Sequence, residues 1–438
     1  MLDAYIYDGL RTAFGRHGGV LAPVRPDDML AAVIRTLVER NAFDTKDYED
    51  VIAGCTNQAG EDARNVARHA GLLAGLPVSV AGQTVNRLCG SGLAATVDAA
   101  RAVTVDEGAL VIAGGVESMS RAPFVMAKAD KAYSRNVSVF DSTIGARFPN
   151  PAILEEHGAD AMPETAQNVA DEFGISREGA DGYAAQSQAR YEAARAAGFF
   201  DDEIMPLDVP QGRKQPPLAV DADEHPRPSS TVDKLAKLPP IVRNGIITAG
   251  NASGVNDGAG ALIIGSKKAG EAAGVTPRAR ILAGGVVGVP PRVMGLGPVG
   301  ACQKVLDRAG LTLKDMDVIE PVPSSEITDL SLPAQIQSVQ GDYTQEERQS
   351  DQDDDQTALY TMQNSIVNDE PDPLNDSLEF EFRTVTAEGN NLAAPLAGTS
   401  HTPFMTKSGY QYEDGMGMPN DDARPGAREI SNAIFAQS

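Results

Sequence analysis

Val85-Asn86-Arg87-Leu88-Cys89-Gly90-Ser91-Gly92-Leu93 is the stretch on which the reading of this chain turns. A strand-like run from Gln83 to Leu88 ends at a cysteine, three small residues follow, and a clean helical segment begins. A thiol placed there faces the unpaired N–H groups and the positive dipole end of a helix, and both favour a thiolate. Gly90 and Gly92 let another backbone or a ligand come close. Two roles fit this spacing: a nucleophile, or a cysteine packed as a small apolar side chain at a strand end.

Outward from Cys89, the first 320 residues alternate strand and helix patterns. Pro26 opens a helix whose Leu30, Val33, Ile34 and Leu37 follow the i, i+3, i+4, i+7 spacing. Asp50-Val51-Ile52-Ala53-Gly54 reads as a short strand. Ala109-Leu110-Val111-Ile112-Ala113-Gly114 is a continuous apolar run, as a strand covered on both faces would be. Residues 120–245 are richer in proline and charge and read as an insertion with helices over Glu164–Phe173 and Arg177–Ala197. Leu37-Val38-Glu39-Arg40, a loop, then Asp50-Val51-Ile52 is echoed by Val305-Leu306-Asp307-Arg308, a loop, then Asp317-Val318-Ile319. The echo suggests two similar α/β halves.

Composition narrows the function. Residues 321–438 hold 21 acidic and 5 basic side chains, a net of -16 out of the chain's -24. Such a surface is a poor partner for nucleic acid. Only 20 of these 118 residues are Ile, Leu, Val or Phe, a level at which a charged segment is expected to be poorly ordered. Alternation over Ser377–Val385 hints at one strand. Asp351, Asp353 and Asp355 have the spacing of a calcium loop, but Gln356 and Met362 stand where Gly and Glu are needed, so the tract reads as a solvated charged segment. Cys55, Cys89 and Cys302 are too far apart for a disulfide framework or a zinc cluster and suit a reducing, cytoplasmic setting. Met1–Asp8 begins a strand with no secretory signal pattern, and no run of apolar residues is long enough to span a membrane.

Four further motifs carry a resemblance. Arg11-Thr12-Ala13-Phe14-Gly15-Arg16 follows the first strand, and Ala59-Gly60-Glu61-Asp62-Ala63-Arg64-Asn65-Val66-Ala67-Arg68 precedes the Cys89 motif. Gly114-Gly115-Val116-Glu117-Ser118-Met119-Ser120-Arg121-Ala122-Pro123 follows the buried strand, and Thr248-Ala249-Gly250-Asn251-Ala252-Ser253-Gly254-Val255-Asn256-Asp257-Gly258-Ala259 closes the insertion. In this order they closely resemble the thiolases, the acyl-CoA acetyltransferases. The Gly60-Glu61-Asp62 and Asn86-Arg87-Leu88-Cys89 variants look most like the branch that cleaves 3-oxoadipyl-CoA. The resemblance covers residues 1–320 and implies an α/β thiolase fold, two similar halves in a layered αβαβα arrangement. The first half would span 1–120 and 246–268, a CoA-binding loop domain 121–245, and the second half would begin at 274 and be recognisable only to 320. Residues 321–438 match nothing in the family.

The resemblance also implies roles. Cys89 matches the nucleophile that takes an acyl group from acyl-CoA, splitting one hard transfer into two. Ser253 matches a contact to the pantetheine arm of CoA, although without the resemblance it and its glycines read better as a structural turn. Arg227, in Asp223-Glu224-His225-Pro226-Arg227, matches a contact near the nucleotide end. Gly114-Gly115 reads as a place of tight packing. Coenzyme A would be a substrate, with no cofactor or metal, and a complete fold would form a homodimer or homotetramer.

Thiolases also use a histidine in Gly-His-Pro, a second cysteine in Cys-x-Gly-x-Gly and an asparagine in Asn-Glu-Ala-Phe. Here Pro321-Val322-Pro323-Ser324-Ser325 stands where Asn-Glu-Ala-Phe would be, and no cysteine follows Cys302. Cys302 falls on a helix and reads as core packing. His401 and Gly415-Met416-Gly417-Met418 lack the family surroundings, and His17, His69, His157 and His225 match no catalytic position. Two expectations result: thiolytic cleavage of a 3-oxoacyl-CoA through acyl-Cys89, or a catalytically impaired CoA-binding relative.

Overall fold

The computed structural model describes residues 1–312 apart from 130, 136 and 213, residues 315 and 316, and four short strands further along the chain. The elements are β1 (Ala4–Arg11), β2 (Gly15–Arg16), α1 (Pro26–Glu39), β3 (Asp50–Gly54), α2 (Val66–Leu73), β4 (Gln83–Val85), α3 (Ser91–Thr104), β5 (Leu110–Ser118), β6 (Phe124–Met126), β7 (Val139–Asp141), α4 (Pro151–His157), α5 (Met162–Glu172), α6 (Arg177–Ala196), β8 (Leu207–Val209), β9 (Leu218–Val220), α7 (Val232–Leu235), β10 (Asn256–Gly265), α8 (Lys267–Ala273), β11 (Ala279–Ile281) and α9 (Gly297–Ala309).

One mixed sheet organises them, in the order β11-β1-β10-β5-β3-β4, with β2 also on β10. Strands β3, β4 and β5 are parallel, and β10 runs antiparallel to both β5 and β1. β1, β5 and β10 are buried along their whole lengths. The apolar run at Ala109–Gly114 is therefore the buried strand its composition requires, and it continues to Ser118.

α1 forms where the spacing places it. Pro26 occupies the first helical position, Asp27 and Asp28 lie in the positive first turn, and Met29, Leu30, Val33, Ile34 and Leu37 are buried. Two glycines fix which faces the helices cover. A Cβ at Gly71 in α2 would touch Val51 of β3, whereas a Cβ at Gly54 would lie 2.4 Å from the carbonyl carbon of Ser91 in α3. Val51 and Gly54 point to opposite faces of a pleated strand. α2, with α1 packed beside it, thus covers one face and α3 the other. Smaller apolar clusters form around Leu282, Cys302 and Leu306, and around Val169, Ile247 and Val293. Cys302 is fully buried in the first of these.

One expectation changes. The strand before Cys89 ends at Val85, not at Leu88. Leu88 has a φ of 48°, in the left-handed region, so the extended run is broken by a turn before the cysteine is reached. Within the residues read as the start of a second half, β11 pairs antiparallel with β1 at the edge of the first sheet. Beyond residue 320 the described strands pair as Thr361–Val367 with Ser377–Arg383 and Met405–Lys407 with Arg428–Ile430. The second of the four falls where alternation placed one. The strand read at Asp317–Ile319, the acidic tract at 351–356, His401 and Gly415–Met418 lie outside the described residues.

Gly54 is the tightest point beneath α3. Gly54→Ala must push the first turn of α3 off β3, and overpacking of this kind costs about 1–3 kcal/mol. Urea unfolding of the full chain should show a loss of that size; an unchanged midpoint would contradict the contact.

Candidate active site

The C-terminal ends of the parallel strands β3, β4 and β5 and the start of the antiparallel β10 lie at one end of the sheet. Cys89 follows β4, and Ser253 precedes β10. The segment carrying Arg227 is tied to the same end by residues that follow β1. All three residues expected to act are therefore brought to one rim.

The turn that presents Cys89 is held by its own backbone and by Ser91. Gly90 N–H donates to the Arg87 carbonyl and Ser91 N–H to the Leu88 carbonyl, at 3.1 and 3.0 Å. The fully buried Ser91 hydroxyl accepts from Arg87 N–H at 2.8 Å and donates to the Leu88 carbonyl at 2.5 Å. Asn86 Oδ1 accepts from Leu88 N–H. These bonds stabilise the left-handed Leu88, whose side chain points to solvent with 64% exposure, and they turn Cys89 inward, where it is 7% exposed. Gly90 is the N-cap of α3, so Cys89 lies immediately before the helix, as the spacing required.

A second loop packs beside this turn. Cys55 N–H donates to the Val85 carbonyl, and the Asn86 amide donates to the Thr56 carbonyl at 3.0 Å. Glu117, 1% exposed near the end of β5, holds this loop. Its carboxyl accepts from Thr56 N–H at 2.8 Å, Thr56 Oγ1 at 2.6 Å and Asn57 N–H at 3.1 Å. Burial pushes the Glu117 pKa up to about 7 against these bonds. Cys55, Asp62 and Glu117 place ligand-type atoms within 4.8 Å of one another. Burial, with the two acids beside it, drives the Cys55 thiol far upward. Glu117 is occupied by backbone and hydroxyl donors, so the cluster works as a brace for the loop. The sequence places Glu117 in a family motif but gives no sign of this duty.

The side carrying Ser253 and Arg227 is assembled by another buried carboxylate. Arg11, at the end of β1, is fully buried and forks onto Asp223 with Nη1–Oδ1 at 2.7 Å and Nη2–Oδ2 at 3.0 Å, and its Nε donates to buried Glu203. Asp223 also accepts from Phe14 N–H and Tyr191 Oη, and Glu224 accepts from Arg16 and Val20 N–H. The 223–227 segment is thus fastened to the β1–β2 connection. His225 lies against Gly254, where a Cβ would come 2.0 Å from the imidazole Cε1. That contact joins the Arg227 segment to the loop of Ser253. Burial lowers the His225 pKa, leaving the ring neutral near pH 7. Exposed Arg227 donates through Nη1 to the carbonyls of Glu224, His225 and Pro226 and makes no ion pair with a described carboxylate. A cleft of about 570 Å³ lies along the same end, lined by Arg25, Glu61, Ser120 and Arg121, with Cys89, Ser253 and Arg227 outside its lining.

The family model described as the N-terminal domain of thiolase matches residues 4–268, and that of the C-terminal domain matches residues 275–324. The chain belongs to the thiolase family. This thiolase is 56% identical over 322 residues to the 3-oxoadipyl-CoA/3-oxo-5,6-dehydrosuberyl-CoA thiolase of Escherichia coli, a match covering 73% of this chain and 80% of the relative. It is 53% identical over the same length to a beta-ketoadipyl-CoA thiolase of Acinetobacter baylyi, again covering 73% and 80%. Among solved structures, human mitochondrial 3-ketoacyl-CoA thiolase in complex with CoA superposes with a TM-score of 0.66 at 38% identity, covering 73% of this chain and 78% of that one. The thiolase fold and membership of an acyltransferase family follow from these matches. No helix among the described residues is long and apolar enough to cross a membrane.

Glu117 gives a pH-dependent test. Its raised native pKa means that the folded protein binds the proton more tightly than the unfolded chain, whose Glu titrates near 4.5. Its contribution is greatest below that value and is lost as pH rises through about 7. Glu117→Gln should flatten the fall in urea midpoint between pH 5 and 8. It should also cost about 1–3 kcal/mol, because its NH₂ must oppose the N–H of Thr56 or Asn57. An unchanged pH profile would refute the assignment.

Proposed function

We propose that this chain transfers acyl groups between coenzyme A and Cys89, in the thiolytic cleavage of a 3-oxoacyl-CoA such as 3-oxoadipyl-CoA to acetyl-CoA and a shortened acyl-CoA. The observation that carries this reading is the placement of buried Cys89 just before α3, at the rim where Ser253 and the Arg227 segment converge. The names of the relatives support the substrate class. Attack of the Cys89 sulfur on the 3-oxo carbon breaks the bond between C2 and C3, and acetyl-CoA leaves as C2 takes up a proton. A second CoA thiol then takes the acyl group from Cys89. Ser253 would contact the pantetheine arm. Arg227, held by neutral carbonyls on one side, would meet a phosphate at the nucleotide end. Coenzyme A is a substrate in this reading, and no metal or further cofactor takes part. The setting is cytoplasmic. Assembly as a homodimer or homotetramer goes with the fold, and β4, at the edge of the sheet, offers a strand for pairing with a second copy.

A second reading rests on one observation: within these 438 residues no cysteine follows Cys302 and no Gly-His-Pro sequence occurs, while the family match ends at residue 324. General acid–base assistance is worth about 10²–10⁴-fold in rate and an oxyanion donor about 10²–10³-fold. The chain would then accept an acyl group and bind CoA while cleaving carbon–carbon bonds poorly. Exchange of labelled CoA into acetyl-CoA needs only the thioester step. Both readings predict that this exchange is measurable and abolished in Cys89→Ala, and the second adds that thiolysis of 3-oxoadipyl-CoA is at least about 100-fold slower than the general-acid-assisted reaction. Exchange that survives in Cys89→Ala would defeat the proposal. Thiolysis at ordinary enzyme rates would defeat the second reading.

A further inference from the structure

Arg147 is held by the loop beside the Cys89 turn and has no carboxylate partner among the described residues. It lies in the connection that follows β7 and is half-buried. Its guanidinium donates only to neutral oxygens: Nη1 to the Ser142 carbonyl at 3.1 Å, and Nη2 to the Asn57 carbonyl and Oδ1, both at 3.3 Å. No described carboxylate pairs with it, in contrast to Arg11, Arg25, Arg40, Arg121 and Arg177. The oxygens that hold it are themselves fixed. Asn57 N–H is bound by Glu117, the Asn57 amide donates to Ser142, and the Ser142 hydroxyl donates to the Pro123 carbonyl at 2.6 Å. An arginine braced in this way retains its full charge and unspent N–H donors, and its orientation is fixed before any anion arrives.

The brace also places the charge. Asn57 follows Thr56, whose carbonyl receives the Asn86 amide, and Cys89 comes three residues later in the same turn. Arg147 is therefore coupled to the loop that packs against the nucleophile's turn. An acyl group derived from a 3-oxodicarboxylyl-CoA has a free carboxylate at its far end, and a partly desolvated carboxylate needs a cation. We infer that Arg147 is the residue that selects acyl groups ending in a carboxylate, by pairing with that carboxylate when the acyl chain is at Cys89. This rests on the acyl-transfer reading above and adds the specificity-determining group. Arg87, exposed and two residues before Cys89, is the competing cation. Its guanidinium has no hydrogen-bond partner among the described residues, so it would have to be ordered by the substrate itself.

Succinyl-CoA and butyryl-CoA separate charge from chain length. In each case the Cys89 sulfur bonds to the thioester carbon, the carbon–sulfur bond to CoA breaks, and the thiol proton leaves with CoA. Rates of Cys89 acylation on the full chain are read by intact mass. The wild type should favour succinyl over butyryl, and Arg147→Ala should lower that ratio about 10- to 100-fold, as expected for loss of a charge-assisted hydrogen bond. Arg147→Lys should retain part of it. Four outcomes would overturn the assignment: no preference in the wild type, a preference that persists in Arg147→Ala, loss in Arg87→Ala alone, or a parallel fall in both rates. If neither thioester acylates the wild type, the acyl-transfer reading fails by itself. Equilibrium binding of the two thioesters to Cys89→Ala, with and without Arg147→Ala, then decides Arg147 independently. A succinyl preference lost with the arginine supports it, and equal binding refutes it.

Discussion

The first turn of α3 rests directly on the backbone of β3 at Gly54, and the depth at which Cys89 sits follows from that contact. With no side chain between them, helix and strand approach closely enough for Ser91 to be fully buried beneath the turn. A buried hydroxyl must be satisfied, and the partners within reach are the N–H of Arg87 and the carbonyl of Leu88. Those bonds in turn hold Leu88 in a conformation that a leucine rarely adopts alone. Close packing, polar satisfaction and local strain thus form one chain of causes that ends with a sulfur turned inward before a helix.

The rest of the rim is built by the same logic with charges. Glu117 gathers the 56–57 loop, and Arg11 gathers Asp223 and Glu203, linking the long insertion to the sheet. Both devices carry desolvation costs. Burial moves Glu117 and Glu203 upward to about 7 even though Glu203 touches a guanidinium. Groups held at such cost are positioned firmly, and firm positioning is what a site needs when loops supply its walls.

Much of this was legible in the sequence, for identifiable reasons. The stripe of α1, the apolar run of β5 and the placement of Cys89 before a helix each follow from local periodicity or spacing, which tertiary structure had no cause to override. The end of β4 was misplaced because no Gly or Pro interrupts the run between Gln83 and Cys89. Its turn is imposed by Ser91 and by packing at Gly54, and neither is visible as a pattern. Glu117, Arg11 and Arg147 share that difficulty: each owes its role to a partner about 60 to 210 residues away in sequence. The edge pairing of β11 with β1 was likewise not legible, because it depends on hydrogen-bonding positions that no sequence pattern records.

The central claim concerns one sulfur among three. Cys55 and Cys302 are each 0% exposed, and Cys89, at 7%, is the one of the three that reaches the surface. Peptide mass spectrometry after brief exposure of the native chain to acetyl-CoA tests the claim most directly. The account predicts an acetyl thioester on Cys89, with Cys55 and Cys302 unmodified. An unmodified Cys89, or acetylation spread evenly over all three cysteines, would contradict it.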